Sequence, residues 1–231
     1  MSDIGLSQGT ARALAALIIA IPILMALGAF LIGSIPFGLI IGRIFYRTDI
    51  RSQGSGNIGA MNALRTLGKG GAVAVLLLDA LKGFVPTMLV VWLLRHGYDF
   101  DIEGLPPGDQ LLGSLVAMAA VLGHCFSPWL RLRGGKGVAT SFGAIFALCW
   151  PAGLIAVGGW LLGALLTRYS SVGSLLGSVV APIAIWSFTA SPIETLYGVL
   201  AALLIFFTHR QNIARLRAGT EGPIRPIKRG A

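Results

Sequence analysis

Four polar stretches carry the side chains that chemistry would need. The first, SQGSGNIGAMNALRTLGKGG at 52–71, holds glycines, asparagines and Arg65 but no acid. Its Gly-Ser-Gly-Asn run at 54–57 lets successive backbone N–H groups point into one concavity, a nest that suits phosphate. Arg65 can grip an oxyanion through two parallel N–H groups. A helix beginning near Ile58 would add positive potential. Ser55, Gly56, Asn57, Asn62 and Arg65 are therefore candidate anion-binding residues. A flexible turn with a basic end explains the glycines alone better than a nest does, and with Asn57, Asn62 and Arg65 attached the two readings are about even.

The second stretch, GHCFSPWLRLRGGKGVAT at 123–140, contains Gly134, Gly135, Lys136 and Gly137. It is not a nucleotide-binding P-loop. That pattern needs glycine at 130 and Ser or Thr after the lysine, where the chain has Leu130 and Gly137. A cationic phosphate nest and a basic turn both fit. In the third, RYSSVGS at 168–174, Ser170 and Ser171 can donate to an anion or cap the helix that follows, and the sequence favours the cap. In the fourth, THRQNIARLRAGTE at 208–221, His209, Asn212 and Arg215 recur every three residues and share a helix face. Such a stripe can line a site; a basic tail lying on anionic lipid is the alternative.

Asp79 and Lys82 lie inside an apolar run. Intramembrane charges are expensive, so they should face the bundle and, three residues apart, neutralise each other. A structural pair is favoured over a proton relay. The three histidines are scattered, with no carboxylate expected beside them, which argues against a metal site. A Ser-His-Asp triad would have only Asp49, Asp79 or Glu221 as its acid. His96 and Asp101 form an HxxxxD pair, but in an acidic loop on the face away from the anion-binding candidates.

The elements that must position these residues are membrane helices. The 231 residues are 55% hydrophobic and 12% charged, against about 25% charged in soluble domains. The net charge of +9 gathers at the ends of apolar runs, as headgroup contact and topology require, rather than in a nucleic-acid patch. Cys125 and Cys149 lack CxxC spacing and read as reduced buried thiols. Apolar runs near 14–44, 72–94, 111–130, 172–188 and 196–207 each suit one span, and 138–167 divides in two at Trp150-Pro151. Lys and Arg collect on the cytoplasmic side. Seven spans put every basic loop inside and both acidic loops, 96–110 and 191–194, outside. The expectation is an all-α polytopic bundle of seven transmembrane helices in a single membrane domain, 1–231. Its N-terminus lies outside, with an extension at 1–13, and its C-terminus is a basic cytoplasmic tail at 210–231. All four polar stretches then open on one face.

Together, DIRSQGSGNIGAMNALRTLGK, DALKG, GHCFSPWLRLRGGKGVAT and HRQNIARLRAGTE resemble the bacterial membrane family of acyl-phosphate:glycerol-3-phosphate acyltransferases, in order and with fitting spacing from about Leu31 onward. The resemblance implies transfer of a fatty acyl group from acyl phosphate to the 1-hydroxyl of glycerol 3-phosphate. The products are lysophosphatidic acid and phosphate, with neither acyl-CoA nor acyl carrier protein as direct donor. It assigns function to Ser55, Gly56, Asn57, Arg65, Lys136, Ser171, His209 and Asn212. It departs from the family where Met61 replaces a common threonine and in a longer N-terminus. The expected partners are these two substrates and membrane lipid, in the bacterial inner membrane, with no cofactor, nucleic acid or obligate protein partner. A phosphate transporter is the alternative, but it would want charged or broken-helix sites near the midplane of both halves. A scaffold without chemistry would leave four polar stretches on one face unexplained.

Overall fold

The computed structural model describes residues 7–97 and 104–224, and within them ten α-helices. They are α1 (Gln8–Gly33), α2 (Phe37–Tyr46), α3 (Ala60–Thr66), α4 (Gly68–His96), α5 (Gly108–Cys125), α6 (Val138–Leu148), α7 (Trp150–Thr167), α8 (Ser170–Thr189), α9 (Pro192–Thr208) and α10 (Arg210–Arg217). Short 3-10 turns cover Ile50–Ser52 and Pro128–Leu130. Asp101 and the tail residues Arg225, Lys228 and Arg229 lie outside the described residues.

By length and composition five helical stretches can cross a membrane, and six if α9 and α10, bent by 58°, count as one span. The remaining apolar helix, α6, has 11 residues. At about 1.5 Å per residue it covers roughly half of a hydrocarbon core about 30 Å thick. The break foreseen at Pro151 is present. Cys149 is extended between α6 and α7, and Pro151 sits in the first turn of α7, where its missing N–H costs nothing.

The run at 14–44 contains a break that its hydropathy hides. α1 ends at Gly33 and α2 begins at Phe37, after Ser34-Ile35-Pro36. Freed carbonyls in an apolar setting need partners, and side chains supply them. Lys82 Nζ donates to the Ile35 carbonyl at 2.8 Å and Ser127 Oγ to the Ser34 carbonyl at 2.7 Å. Trp129 Nε1 donates to Ser34 Oγ at 2.7 Å. Lys82 also pairs with Asp79 Oδ1 at 2.7 Å, so the expected intramembrane ion pair forms.

Helices meet through small residues, as membrane packing favours. A Cβ at Gly83 of α4 would overlap the Thr140 carbonyl oxygen, and one at Gly143 of α6 the Ala80 carbonyl. Gly33 and Gly123 join α1 to α5 in the same way. The largest core cluster includes Ala117, Phe142, Ile145, Ala156, Ile185 and Tyr197. Glu194, expected in an outer acidic loop, is instead buried in the first turn of α9, whose start is capped by Ser191. Cys125 and Cys149 are free and buried.

Candidate active site

The loop after α2 is shaped before it meets any ligand. Asp49 caps the 3-10 turn and binds Arg51 (2.6 Å) and Arg43 (2.9 Å). The Arg51 guanidinium holds its carboxyl well below the usual carboxylate range. Gly54 and Gly56 take positive φ, +60° and +70°. Asn62, buried on α3, clasps this loop. Its Oδ1 accepts from the Ser55 N–H at 2.8 Å and its Nδ2 donates to the Ile50 carbonyl at 2.6 Å. The Gly56 N–H donates to the Gln53 carbonyl at 3.0 Å, and the Gly59 N–H to Asn57 Oδ1 at 2.9 Å. Two amides of the expected backbone nest, those of Ser55 and Gly56, are thus engaged within the loop, and α3 begins at Ala60, two residues after Ile58.

The second glycine loop behaves similarly. The Gly134 N–H donates to the Cys125 carbonyl and the Gly135 N–H to the His124 carbonyl, both at 3.0 Å. These amides fasten the loop to the end of α5. Lys136 then reaches Asn212, its Nζ donating to Oδ1, while Thr208 Oγ1 donates to the Lys136 carbonyl at 3.0 Å. Gly137, at φ +85°, lets the chain turn into α6.

Asn212 lies on α10, beyond the bend at His209. Its amide nitrogen donates to Glu221 Oε1 at 2.6 Å. Ser171 Oγ donates to the same oxygen at 2.9 Å, and Arg215 Nε to Oε2 at 2.7 Å. Glu221 is thereby the hub of this corner. Burial would raise its pKa, but hydrogen bonds from Asn212, Arg215 and Ser171 bring it below the usual value. Ser171 therefore does not cap α8; that position is Tyr169, with no side-chain bond. Arg65 Nη2 donates to the carbonyls of Gly222 (3.1 Å) and Pro223 (3.4 Å), strapping the segment after α10 across the site.

These elements enclose a cavity of about 650 Å³. Ser55, Asn57, Asn62, Arg65, Lys136, Gly137, Ser171, His209 and Asn212 all line it, so all four polar stretches meet there. Gly56, Gly134 and Gly135 do not reach its wall. Lys69, Glu221, Asp79 and His124 also line it, although the sequence did not single them out as site residues. Glu221 gave one usable signal: it is the lone acid in the fourth stretch. Apart from Ser170 and Ser174, the rest of the wall is largely apolar, with Val73 and Leu76 from α4, Phe142 from α6, and Val157, Trp160 and Leu161 from α7. One end can hold anions and the other a hydrocarbon chain.

Two groups here have displaced protonation. Burial, with Arg215 and Arg65 nearby, lowers Lys136 to about 8 despite Glu221. Burial and the Lys136 charge lower His209 to about 4. His209 Nδ1 lies 2.8 Å from the Ile205 carbonyl, which can only accept, so Nδ1 carries the proton and Nε2 is the open acceptor. The expectation that no histidine has a carboxylate neighbour fails at His124, whose Nδ1 is 3.6 Å from Asp79 Oδ1. The two residues are 45 positions apart in sequence, and only the α4–α5 packing brings them together.

The sequence model of the family described as glycerol-3-phosphate acyltransferase matches residues 23–219. The chain belongs to that family. A glycerol-3-phosphate acyltransferase of Nitrobacter winogradskyi is 48% identical over 195 residues, covering 84% of this chain and 92% of its own. One from Gluconobacter oxydans is 46% identical, covering 86% and 91%. The crystal structure of PlsY (YgiH), an integral membrane glycerol 3-phosphate acyltransferase, in its glycerol 3-phosphate form is similar at a TM-score of 0.78. It is 31% identical, with 88% of this chain and 96% of that chain covered. The lysophosphatidic acid form gives a TM-score of 0.75 at 30% identity, covering 87% and 94%. The chain is thus a PlsY-type membrane protein of phospholipid biosynthesis, helical and without strands among the described residues.

Proposed function

We propose that the chain moves a fatty acyl group from acyl phosphate to the 1-hydroxyl of glycerol 3-phosphate, releasing lysophosphatidic acid and phosphate, without acyl-CoA or acyl carrier protein as direct donor. The observation that carries this reading is one cavity with a cationic, hydrogen-bonding end at Arg65, Lys136 and Asn212 and an apolar end at Leu76, Phe142 and Trp160. A phosphorylated lipid and a small phosphate ester fit those two ends together.

In this reading Ser55 and Asn57 face the acyl phosphate, and Gly56 shapes the turn between them. Arg65 and Lys136, with Ser171, His209 and Asn212, hold glycerol 3-phosphate. Asn62, Gly134, Gly135 and Gly137 act by shaping the two loops. The hydroxyl oxygen attacks the acyl carbonyl carbon, the new ester bond forms, and the bond from that carbon to the bridging oxygen breaks. The phosphate leaves with the bonding electron pair and takes the hydroxyl proton. Phosphate is a good leaving group, so no covalent enzyme nucleophile is required. Arg65 and Lys136 stabilise the developing negative charge, and holding both substrates in place supplies much of the remainder. A substrate phosphate oxygen is the favoured proton acceptor over neutral His209 Nε2.

The membrane placement belongs to the same proposal: seven spans with α6 counted as one, the N-terminus outside, and the C-terminus and cavity mouth facing the cytoplasm across the bacterial inner membrane. Excess arginine and lysine in the loops around the cavity support it.

The test uses purified protein in lipid nanodiscs. Acyl phosphate and glycerol 3-phosphate, without CoA or carrier protein, should give phosphate and lysophosphatidic acid in equal amounts. Product from acyl-CoA, and none from acyl phosphate, would overturn the assignment of donor.

A further inference from the structure

Two buried ionisable residues line the cavity yet take no part in the reaction as described, Asp79 and His124. His124 stands in the last turn of α5. Its carbonyl accepts the Gly135 N–H at 3.0 Å. Gly135 is seated against the imidazole so closely that a Cβ there would overlap Nε2. On the ring's other side, Nδ1 faces Asp79 Oδ1 at 3.6 Å, too far for a hydrogen bond. Asp79 cannot retreat, because Lys82 binds it at 2.7 Å and itself donates to the Ile35 carbonyl at 2.8 Å. The imidazole is therefore a wedge. Below it is an ion pair braced on α4 and the α1–α2 break; above it is the peptide that precedes Lys136.

We propose that His124 is a positioning residue for Lys136, its ring setting the height at which the Gly134–Gly135 peptide holds the lysine against Asn212. The inference rests on Lys136 meeting the phosphate of glycerol 3-phosphate. With the ring removed, the peptide settles into the vacated space and Nζ moves off Asn212. Binding of glycerol 3-phosphate then suffers, while the apolar end of the cavity is untouched.

A double-mutant cycle tests this in nanodiscs, with KM for each substrate, kcat and thermal unfolding measured for His124→Ala, Lys136→Ala and both together. His124→Ala should raise KM for glycerol 3-phosphate at least tenfold and leave KM for acyl phosphate within twofold. In the Lys136→Ala background the same substitution should change KM less than twofold. His124→Gln, which keeps bulk under Gly135, should recover most of the loss. Equal effects of His124→Ala in both backgrounds, or equal rises in both KM values, overturn the proposal. If Lys136→Ala itself leaves KM for glycerol 3-phosphate unchanged, the phosphate role of Lys136 falls, and this inference with it. Should neither His124 variant fold, Gly135→Ala pushes on the same wedge from above. It must raise KM for glycerol 3-phosphate selectively, and a uniform loss of both affinities overturns the idea.

Discussion

Lys136 donates its ammonium hydrogen bond to Asn212 Oδ1, across 76 residues of sequence. The same amide donates from its other end to Glu221. One asparagine thus aligns a cation and a carboxylate, and the orientation of its amide is fixed by the two of them.

Removing that cation should be costly to catalysis. Lys136→Ala is expected to lower kcat/KM for glycerol 3-phosphate by about 10²–10³-fold, the usual effect of deleting one charge-stabilising donor. Lys136→Arg keeps the charge and should retain more activity. Steady-state kinetics in nanodiscs reads both.

The pH dependence follows from the same group. With Lys136 lowered to about 8 in the free enzyme, kcat/KM for glycerol 3-phosphate should fall as pH rises through about 8. Bound dianion favours the charged lysine, so the corresponding limb in kcat should lie at higher pH. Stability moves the opposite way. The unfolded chain keeps this proton up to the ordinary lysine range, so between there and 8 folding gains stability as pH rises. Lys136→Arg should abolish the alkaline limb. A limb unchanged in that variant would assign it elsewhere.

His209 stays neutral down to about pH 4, so it contributes no acid limb near 6.5. His209→Gln keeps an acceptor and is expected to lower kcat less than about tenfold, well short of the 10²–10⁴ of an essential base. A loss in that larger range, with folding intact, would make His209 the proton acceptor.

Glu221→Ala leaves the buried donors of Asn212 and Ser171, and the half-exposed Arg215, without their partner. Stranding buried donors costs about 1–3 kcal/mol, which thermal unfolding should report. Its folded pKa is depressed, so this corner's stability is present above the ordinary glutamate range and disappears as pH falls through the lower folded value. The strap should therefore hold through mildly acid conditions in the parent protein.

Lys82→Met leaves Asp79 charged and buried, a change that costs about 3–5 kcal/mol. Adding Asp79→Asn should restore much of the lost thermal stability. A double variant as unstable as the single one would mean that the Lys82 bond to the Ile35 carbonyl matters more than the ion pair.

Much of this arrangement was legible in the sequence because membrane helices announce themselves by hydropathy and polar loops by contrast. The convergence of 52–71, 123–140, 168–174 and 208–221 followed from charge placement alone. The direction of individual groups did not. The Gly134 and Gly135 amides turn back to α5 because that helix ends with unsatisfied carbonyls just where the loop returns, a tertiary fact. Ser171 bonds to Glu221 rather than capping α8, because the segment after α10 folds over it. The break at Ser34–Pro36 hid in an apolar run, since its partners, Lys82, Ser127 and Trp129, come from elsewhere in the chain. Glu221 has no helical periodicity to mark it, and its place depends on the strap held by Arg65.

The apolar wall of the cavity runs out to side chains on the lipid-facing surface: Val73 is 54% exposed, Leu76 47% and Leu161 44%. The site is therefore a junction between two solvents. With acyl phosphate as the proposed donor, the fatty reactant would arrive by diffusion in two dimensions and its concentration would be a mole fraction of the bilayer, while the glycerol ester arrives from bulk water. Diluting the bilayer with inert lipid should slow turnover at constant total substrate. In the proposed reaction the products part by phase, the single-chain lipid sideways into the leaflet and the inorganic ion back to water, and that partition would help to keep the reaction running forward.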